Sequence, residues 1–224
     1  MEFRQRMLHI ACVFFGFFGF AFWYAAPLCH WYLYPLLDHL PNRHSLIATQ
    51  ITSPLFMPLT IAFNIALLCV MPYSLYQIWR FVSPGLYPNE KRRFGQVMVI
   101  SLSLFIFGLL FCYFLILPFM FHWIIHAVPK DVTFMPDISA ATQFITKMML
   151  IFGSSFQIPL VCAILVHTKL VRRQQLLNLR PYMIVGAFTL GMLLTPPDVL
   201  SQIILALPLW ILYESGIWLT RSVE

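Results

Sequence analysis

Six long apolar stretches constrain the fold of this 224-residue chain more than any other feature. Crossing the roughly 30 Å hydrocarbon core of a bilayer takes about 20 helical residues. Four stretches meet that length comfortably and the sixth nearly does, but the fifth has only 13 residues between Pro181 and Thr195. The stretches cover approximately residues 10–27, 59–78, 95–117, 142–167, 182–194 and 199–219.

The low content of charged residues also indicates a membrane protein. Charged residues make up 10% of the chain, hydrophobic residues 60%, and the mean hydropathy is +0.81, whereas soluble domains carry about 25% charged residues. The sequence therefore predicts an all-α polytopic membrane protein with six transmembrane helices, of which the fifth and sixth are short. No internal repeat or linker divides it, so residues 1–224 are expected to form a single integral membrane domain.

The placement of Lys and Arg predicts the orientation. Eleven of them fall on one side of the six predicted spans and three on the other. Since positive residues are concentrated in cytoplasmic loops, both termini are expected to be cytoplasmic. The net charge of +6 then reflects topology and requires no nucleic acid, although it favours contact with anionic lipid.

The loop over residues 80–93, RFVSPGLYPNEKRR, places a single carboxylate, Glu90, among four cations. An acid inside a basic loop suggests a surface that binds a positively charged ligand, because arginine pairs favour carboxylate partners. The alternative is that Glu90 only stabilises the positive end of the third span. On the opposite side of the membrane, the predicted loop between the first two spans carries several prolines and aromatic residues. It is expected to form short helices that cap the outer surface.

The motifs of common enzymes are absent. The chain has no Walker-type glycine loop, no His-Glu-x-x-His and no Gly-x-Ser-x-Gly, so we expect no catalytic residue, no cofactor and no metal. His122 and His126 are four residues apart and could share a helix face, but their place beside Trp123 at a span end favours interfacial histidines. The scattered cysteines do not predict a disulfide framework.

Polar residues inside the spans are few, so each is a candidate for function. Gln157 lies in the middle of the fourth span, two residues before Pro159, which frees a backbone carbonyl. It is expected to act as a neutral hydrogen-bonding group, with packing against another span, for example toward Asn64, as the alternative. Glu214, near the inner end of the sixth span, is expected either to have a functional role or to pair with Arg221.

Several short pieces of the chain carry a family resemblance by their residues and their order. They are Glu2-Phe3-Arg4-Gln5-Arg6, Thr52-Ser53-Pro54, Pro72, Gln77, Trp79, Phe81, Pro84-Gly85-Leu86-Tyr87, Glu90, Tyr113-Phe114, Pro118, Phe156-Gln157-Ile158-Pro159, Arg180-Pro181-Tyr182, Thr195-Pro196-Pro197-Asp198 and residues 208–214. In this order they resemble the TatC subunit of the twin-arginine protein translocase over nearly the whole chain.

The resemblance implies a function. A TatC-like protein would bind twin-arginine signal peptides at the cytoplasmic face of the bacterial inner membrane. With TatA-like and TatB-like single-span proteins, it would move folded precursor proteins across using the proton-motive force, and homo- and hetero-oligomers are expected. The residues expected to bind the signal peptide are Glu90, Glu2, Phe81, Pro84, Gly85, Leu86 and Arg92, with a turn at Pro84-Gly85.

The chain departs from the family pattern at two places. Gln157 stands where the family usually has glutamate, which argues against a proton relay through this position, and fewer residues precede Glu2 than is usual in the family.

The short fifth span predicts a partner contact at its outer edge, since a mismatched helix is favourably covered by a neighbour. The residues expected there are Met192, Thr195, Pro196, Asp198 and Val199, and the alternative is a short helix shielded inside a monomer. A different class of function, a small secondary transporter or channel, is also open because short helices and intramembrane polar groups mark such proteins.

Overall fold

The computed structural model describes residues 2–38, 46–48, 52–86, 91–127, 135–195 and 199–221. These ranges are almost entirely helical. The α-helices are α1 (Glu2–Trp23), α2 (Ala25–Leu37), α3 (Ser53–Leu86), α4 (Lys91–Phe111), α5 (Leu117–Ala127), α6 (Ile138–Ser155), α7 (Ile158–His167), α8 (Arg173–Leu194) and α9 (Val199–Thr220), and a π-helical turn, Cys112–Ile116, joins α4 to α5.

The predicted spans are largely confirmed. Among the described residues, five helical stretches are long and apolar enough to cross a membrane: Arg4–Trp23, Phe56–Arg80, Gly95–His126, Ile138–His167 and Val199–Thr220. The apolar part of α8, Arg180–Leu194, is shorter, as expected of the fifth segment. Its helix nevertheless begins at Arg173, with Pro181 inside it. The expectation that the sixth segment is short is wrong, because α9 has 22 residues.

The turn predicted at Pro84-Gly85 is also wrong, because α3 continues through both residues to Leu86. A proline removes one helical hydrogen bond, in this case the bond to the carbonyl of Arg80. A membrane helix can tolerate that loss where other groups compensate. The helix predicted in the first external loop is present as α2, and its role as a cap on the outer surface remains a prediction.

Two compact units emerge from the packing. The first contains residues 1–81 and 113–149, and the second contains residues 82–112 and 150–224. Their boundaries fall inside helices and not in linkers. That residues 1–224 act as one membrane domain remains a prediction.

In the first unit, α2 packs against α5. A hydrogen bond from the π-helical turn just before α5 compensates for a proline in α2. Pro35 lies inside α2 and has no N–H to donate to the carbonyl of Trp31. The hydroxyl of Tyr113 donates to that carbonyl at 2.6 Å, and the two aromatic rings stack with their centroids 4.9 Å apart. Tyr113 lies in the π-helical turn. Therefore an irregularity in one helix supplies the donor that the other helix lacks.

The core of the first unit is closed by a buried hydroxyl pair. Tyr32 is 1% exposed, and its hydroxyl lies 2.5 Å from that of Thr146 on α6. Ile47 forms two backbone hydrogen bonds with the residues around the start of α6. Its N–H donates to the carbonyl of Pro136 at 3.2 Å, and its carbonyl accepts from the N–H of Ile138 at 3.1 Å. These bonds hold part of the first external loop at the beginning of α6.

The second unit is built on α9, which packs against both α7 and α8. Its core contains Cys162, Val166, Leu176, Tyr213 and Ile217. Gly216 permits a close approach to α7, since a Cβ atom there would lie 3.0 Å from the Cα of Pro159 and 3.2 Å from the Cβ of Cys162. Small residues at such crossings are typical of membrane helix packing.

This crossing gives a stability prediction. Gly216→Ala should lower the free energy of unfolding by about 1–3 kcal/mol, because the added methyl overpacks against the backbone of α7. Gly186→Ala is the matched control, since a Cβ at Gly186 meets nothing within 4 Å. It should be neutral or slightly stabilising. Thermal unfolding of the detergent-solubilised chain, followed by circular dichroism, measures both, and equal melting temperatures for the two variants would contradict the packing argument.

Candidate functional site

The residues predicted to bind a signal peptide fall on three elements. Glu2 begins α1, and Arg92 is the second residue of α4. Phe81, Pro84, Gly85 and Leu86 form the last part of α3. Glu90 lies outside the described residues. The apolar members of the set therefore belong to a helix end and not to a turn.

Near this helix end, the first turns of α1 are bonded to α3. The guanidinium of Arg6 donates to the backbone carbonyl of Gln77 at 3.1 Å. The amide of Gln77 is buried and donates to the hydroxyl of Tyr73 at 2.7 Å. Gln77 precedes Phe81 by one helical turn, and Arg6 follows Glu2 by one turn. The contact thus fixes the beginning of α1 on the part of α3 that leads to Phe81.

Gln157 has a partner that the sequence did not indicate. Helices α6 and α7 are separated at Phe156-Gln157, two residues before Pro159. The amide of Gln157 donates to the carbonyl of Ser101 on α4 at 2.8 Å, and its oxygen accepts from the Ser101 hydroxyl at 2.8 Å. Both residues are buried. The alternative of packing against another span is therefore realised through Ser101 on α4, and a role of Gln157 in transport remains a prediction.

Ser101 is the functional residue that sequence reasoning missed at this place. A lone serine in an apolar helix commonly bonds its own backbone, as Ser103 does with the carbonyl of Val99. Ser101 therefore looked like an ordinary helical serine. A search for polar pairs at matched depth in neighbouring spans could have suggested the contact with Gln157.

The polar groups of α8 and α9 pair with each other. Glu214 accepts a hydrogen bond from the guanidinium of Arg180, and the two form an ion pair. The hydroxyl of Tyr213 donates to the carbonyl of Leu176 at 2.7 Å. The expected pairing of Glu214 with Arg221 is wrong, because α8 supplies a nearer cation across the helix interface. This ion pair links α8 to α9.

The predicted partner residues differ in exposure. Met192 is 55% and Val199 is 72% exposed, so both are available for contact. Thr195 is buried, and its hydroxyl donates to the carbonyl of Gly191 at 2.9 Å. Pro196 and Asp198 lie outside the described residues. Met192 and Val199 therefore remain candidates, whereas Thr195 ends its own helix.

A groove between α8 and α9 was not predicted. It is a wholly apolar cavity of about 300 Å³. The helical spacing of apolar residues in each segment indicates an apolar face, but neither segment alone shows where the two helices cross. The lining residues are Ile184, Ala187, Phe188, Ile203, Ala206, Leu207 and Trp210.

No metal site is built from the described residues, which contain no group of three or more His, Cys, Asp or Glu side chains suited to a metal. The rings of His122 and His126 lie with centroids 4.1 Å apart, and a ring nitrogen of His126 lies 2.7 Å from the carbonyl of His122. The cysteines are free, and burial raises the pKa of the Cys29 thiol.

Known proteins resemble this chain over nearly its whole length. The family model "Sec-independent protein translocase protein (TatC)" matches residues 1–208. The TatC protein of Escherichia coli (strain K12) is 35% identical over 221 residues, covering 99% of this chain and 86% of the relative. That of Azotobacter chroococcum mcd 1 is 37% identical over 223 residues, covering 100% and 88%.

Solved structures agree with the sequence relatives. A structure described as "Crystal Structure of Twin Arginine Translocase Receptor- TatC" matches with a TM-score of 0.88 and 32% identity, covering 99% of this chain and 97% of that one. The family is one of protein transport and not of catalytic enzymes. With its six-span helical fold and its full-length match to family relatives, the chain belongs to the TatC family of Sec-independent protein translocase proteins.

Proposed function

We propose that this chain is the receptor subunit of a twin-arginine translocase in a bacterial inner membrane, with both termini in the cytoplasm. It binds twin-arginine signal peptides and helps to carry folded proteins across using the proton-motive force. The observation that carries the proposal is the similarity of 99% of the chain to a structure described as a twin-arginine translocase receptor. The split of eleven to three in Lys and Arg supports the orientation.

Glu90 binds the arginine pair, and Glu2 assists it. A guanidinium forms two parallel hydrogen bonds with a carboxylate, and the two acids lie in segments otherwise rich in Arg and Lys. Phe81, Pro84, Gly85 and Leu86 offer apolar contact for the rest of the peptide, while Arg92 sets the local charge. The bond from Arg6 to Gln77 supports this assignment, because it prevents the α1 end that bears Glu2 from fraying freely.

The partners are TatA-like and TatB-like single-span helices that pack on α8 and α9. A short apolar helix is covered favourably by a neighbouring helix. Met192 and Val199 are exposed near the outer ends of the two helices. The apolar groove between Ala187 and Ala206 extends the surface inward, and its small residues permit close helix contact.

Replacement of Glu90 tests recognition. Glu90→Ala should weaken binding of a twin-arginine peptide by about tenfold or more, since a hydrogen bond to a charged group contributes about 1.5–3 kcal/mol. Binding of a fluorescent peptide to the purified chain measures this. Asp38→Asn, which removes an acid from α2's C-terminal end, should have no effect. Glu90→Ala should weaken the binding of a twin-lysine peptide less than that of a twin-arginine peptide, because lysine cannot form the bidentate pair with the carboxylate. Unchanged binding with normal folding would refute the role of Glu90.

Photocrosslinking tests the partner surface. A photoreactive residue at Val199 or Leu207 should crosslink to a single-span partner helix when the complex is purified from membranes. Val99 is a suitable control, because it is 65% exposed on α4, away from α8 and α9 along the chain. Crosslinks to lipid alone from all three positions, with the partner present, would count against the proposed surface.

Substitution of Gln157 tests the bond to Ser101. Gln157→Leu removes both hydrogen bonds and should lower the free energy of unfolding by about 1–3 kcal/mol. It should impair transport more than peptide binding. Gln157→Glu should be tolerated, because a protonated carboxyl can donate to the Ser101 carbonyl and accept from its hydroxyl. Transport assays and thermal unfolding separate the two variants, and full activity in the leucine variant would leave Gln157 without a functional role.

A further inference from the structure

A second cavity lies at the connection between α7 and α8. It has a volume of about 900 Å³, which is within the range of about 300–1,000 Å³ common for ligand pockets. Its lining includes the side chains of His167, Lys169, Arg172 and Arg173, together with Gln174. The lining that the structure describes contains no carboxylate. The cavity is therefore strongly cationic and rich in hydrogen-bond donors.

The beginning of α8 adds to this positive field. A helix N-terminus carries a partial positive charge and is usually capped by Ser, Thr, Asp or Asn. Here the N-cap residue is Arg172, and the first turn contains no acid. The side-chain oxygen of Gln175 accepts a hydrogen bond from the N–H of Arg172 at 2.9 Å. A cation at a helix N-terminus is unfavourable by itself, so an anion beside Arg172 would stabilise this end of the helix.

Lys169 is held in the cavity wall by the end of α7. Its φ of 58° is in the left-handed region, where a helix usually ends with glycine. The N–H of Leu170 donates to the carbonyl of Leu165 at 3.1 Å, and that of Lys169 to the carbonyl of Val166 at 2.9 Å. These two bonds are the Schellman motif. A lysine in a position that favours glycine keeps a cation at the cavity.

The cavity lies beside a membrane surface. The fourth apolar stretch ends at His167, and the next apolar helix begins at Arg180. The cations at 169–173 therefore follow the end of a span by only two to six residues. Between them lies Leu170, which is 67% exposed. An exposed leucine among cations at the end of a span fits the boundary between lipid headgroups and acyl chains.

We propose that this cavity binds the phosphate group of an anionic glycerophospholipid. Guanidinium groups form paired hydrogen bonds with phosphate, and lysine contributes a point charge. Basic pockets beside transmembrane helices are known sites for such headgroups. Leu170 contacts the acyl chains of the same lipid. The site is distinct from the proposed recognition of arginine pairs, since a cationic cavity repels a twin-arginine peptide, and it does not depend on that function.

Binding of phosphatidylglycerol to the purified full-length chain tests the proposal. Native mass spectrometry during titration with phosphatidylglycerol in a neutral detergent gives the affinity. Lys169→Gly and Arg172→Gln should each weaken binding by about fivefold, and the pair by more than tenfold, since each surface cation contributes about that factor. Glycine adopts the backbone of Lys169 without strain, so this variant should keep its melting temperature. Arg172→Lys keeps the charge but loses the paired hydrogen bonds, so its affinity should lie between those of Arg172→Gln and the unaltered chain.

Controls separate the lipid from other anions. Arg221→Gln removes one exposed cation outside the cavity and should leave binding unchanged, and phosphatidylcholine should not bind specifically. Twin-arginine peptide binding should be unaffected in the cavity variants. The proposal is overturned if the folded double variant binds phosphatidylglycerol like the unaltered chain, or if Arg221→Gln has the same effect. It is also overturned if inorganic phosphate or an acidic peptide binds as tightly as the lipid.

Discussion

The structure depends on one constraint: a backbone polar group that is removed from water must find a hydrogen-bond partner within the protein. The constraint is most visible where helices are irregular. Pro35 leaves the carbonyl of Trp31 without a helical donor, and Tyr113 supplies one from the π-helical turn. At the break between α6 and α7, the buried side-chain amide of Gln157 is itself satisfied by two bonds to Ser101 on α4. Irregular backbone is therefore tolerated where a second helix provides a partner.

Side-chain bonds also link neighbouring helices of the second unit. Gln157 ties the broken fourth span to α4, whereas Tyr213 and the pair of Arg180 with Glu214 tie α9 to α8. Since a neutral amide exchanges no proton, the contact between Gln157 and Ser101 is suited to holding a break in place and not to relaying protons. A chain with glutamate there would need that acid to be protonated to make the same two bonds. Glutamine at position 157 therefore provides a hydrogen-bonding group that does not depend on pH.

Much of the fold could be predicted from the sequence, because hydropathy and span length report directly on the bilayer. The helices, the short apolar part of α8 and the helix in the first external loop all followed from composition. Contacts across distant segments could not. Ser101 lies 56 residues from Gln157 in the sequence. Glu214 pairs with Arg180 and not with Arg221, because the packing of α8 against α9 brings distant residues together. The turn predicted at Pro84-Gly85 is absent because α3 continues to Leu86, since a helix can continue through a proline at the loss of one hydrogen bond.

The predicted recognition residues are placed less completely than the helices that carry them. Phe81, Pro84, Gly85 and Leu86 lie on α3 and Arg92 lies on α4, whereas Glu90 lies outside the described residues. The sequence still distinguishes two kinds of surface by charge. In the sequence, the segment of Glu90 contains one carboxylate among cations, whereas the described lining of the cavity between α7 and α8 contains Lys169 and Arg172 and no carboxylate. The two proposals, recognition of arginine pairs and binding of an anionic lipid, therefore rest on different segments of the chain.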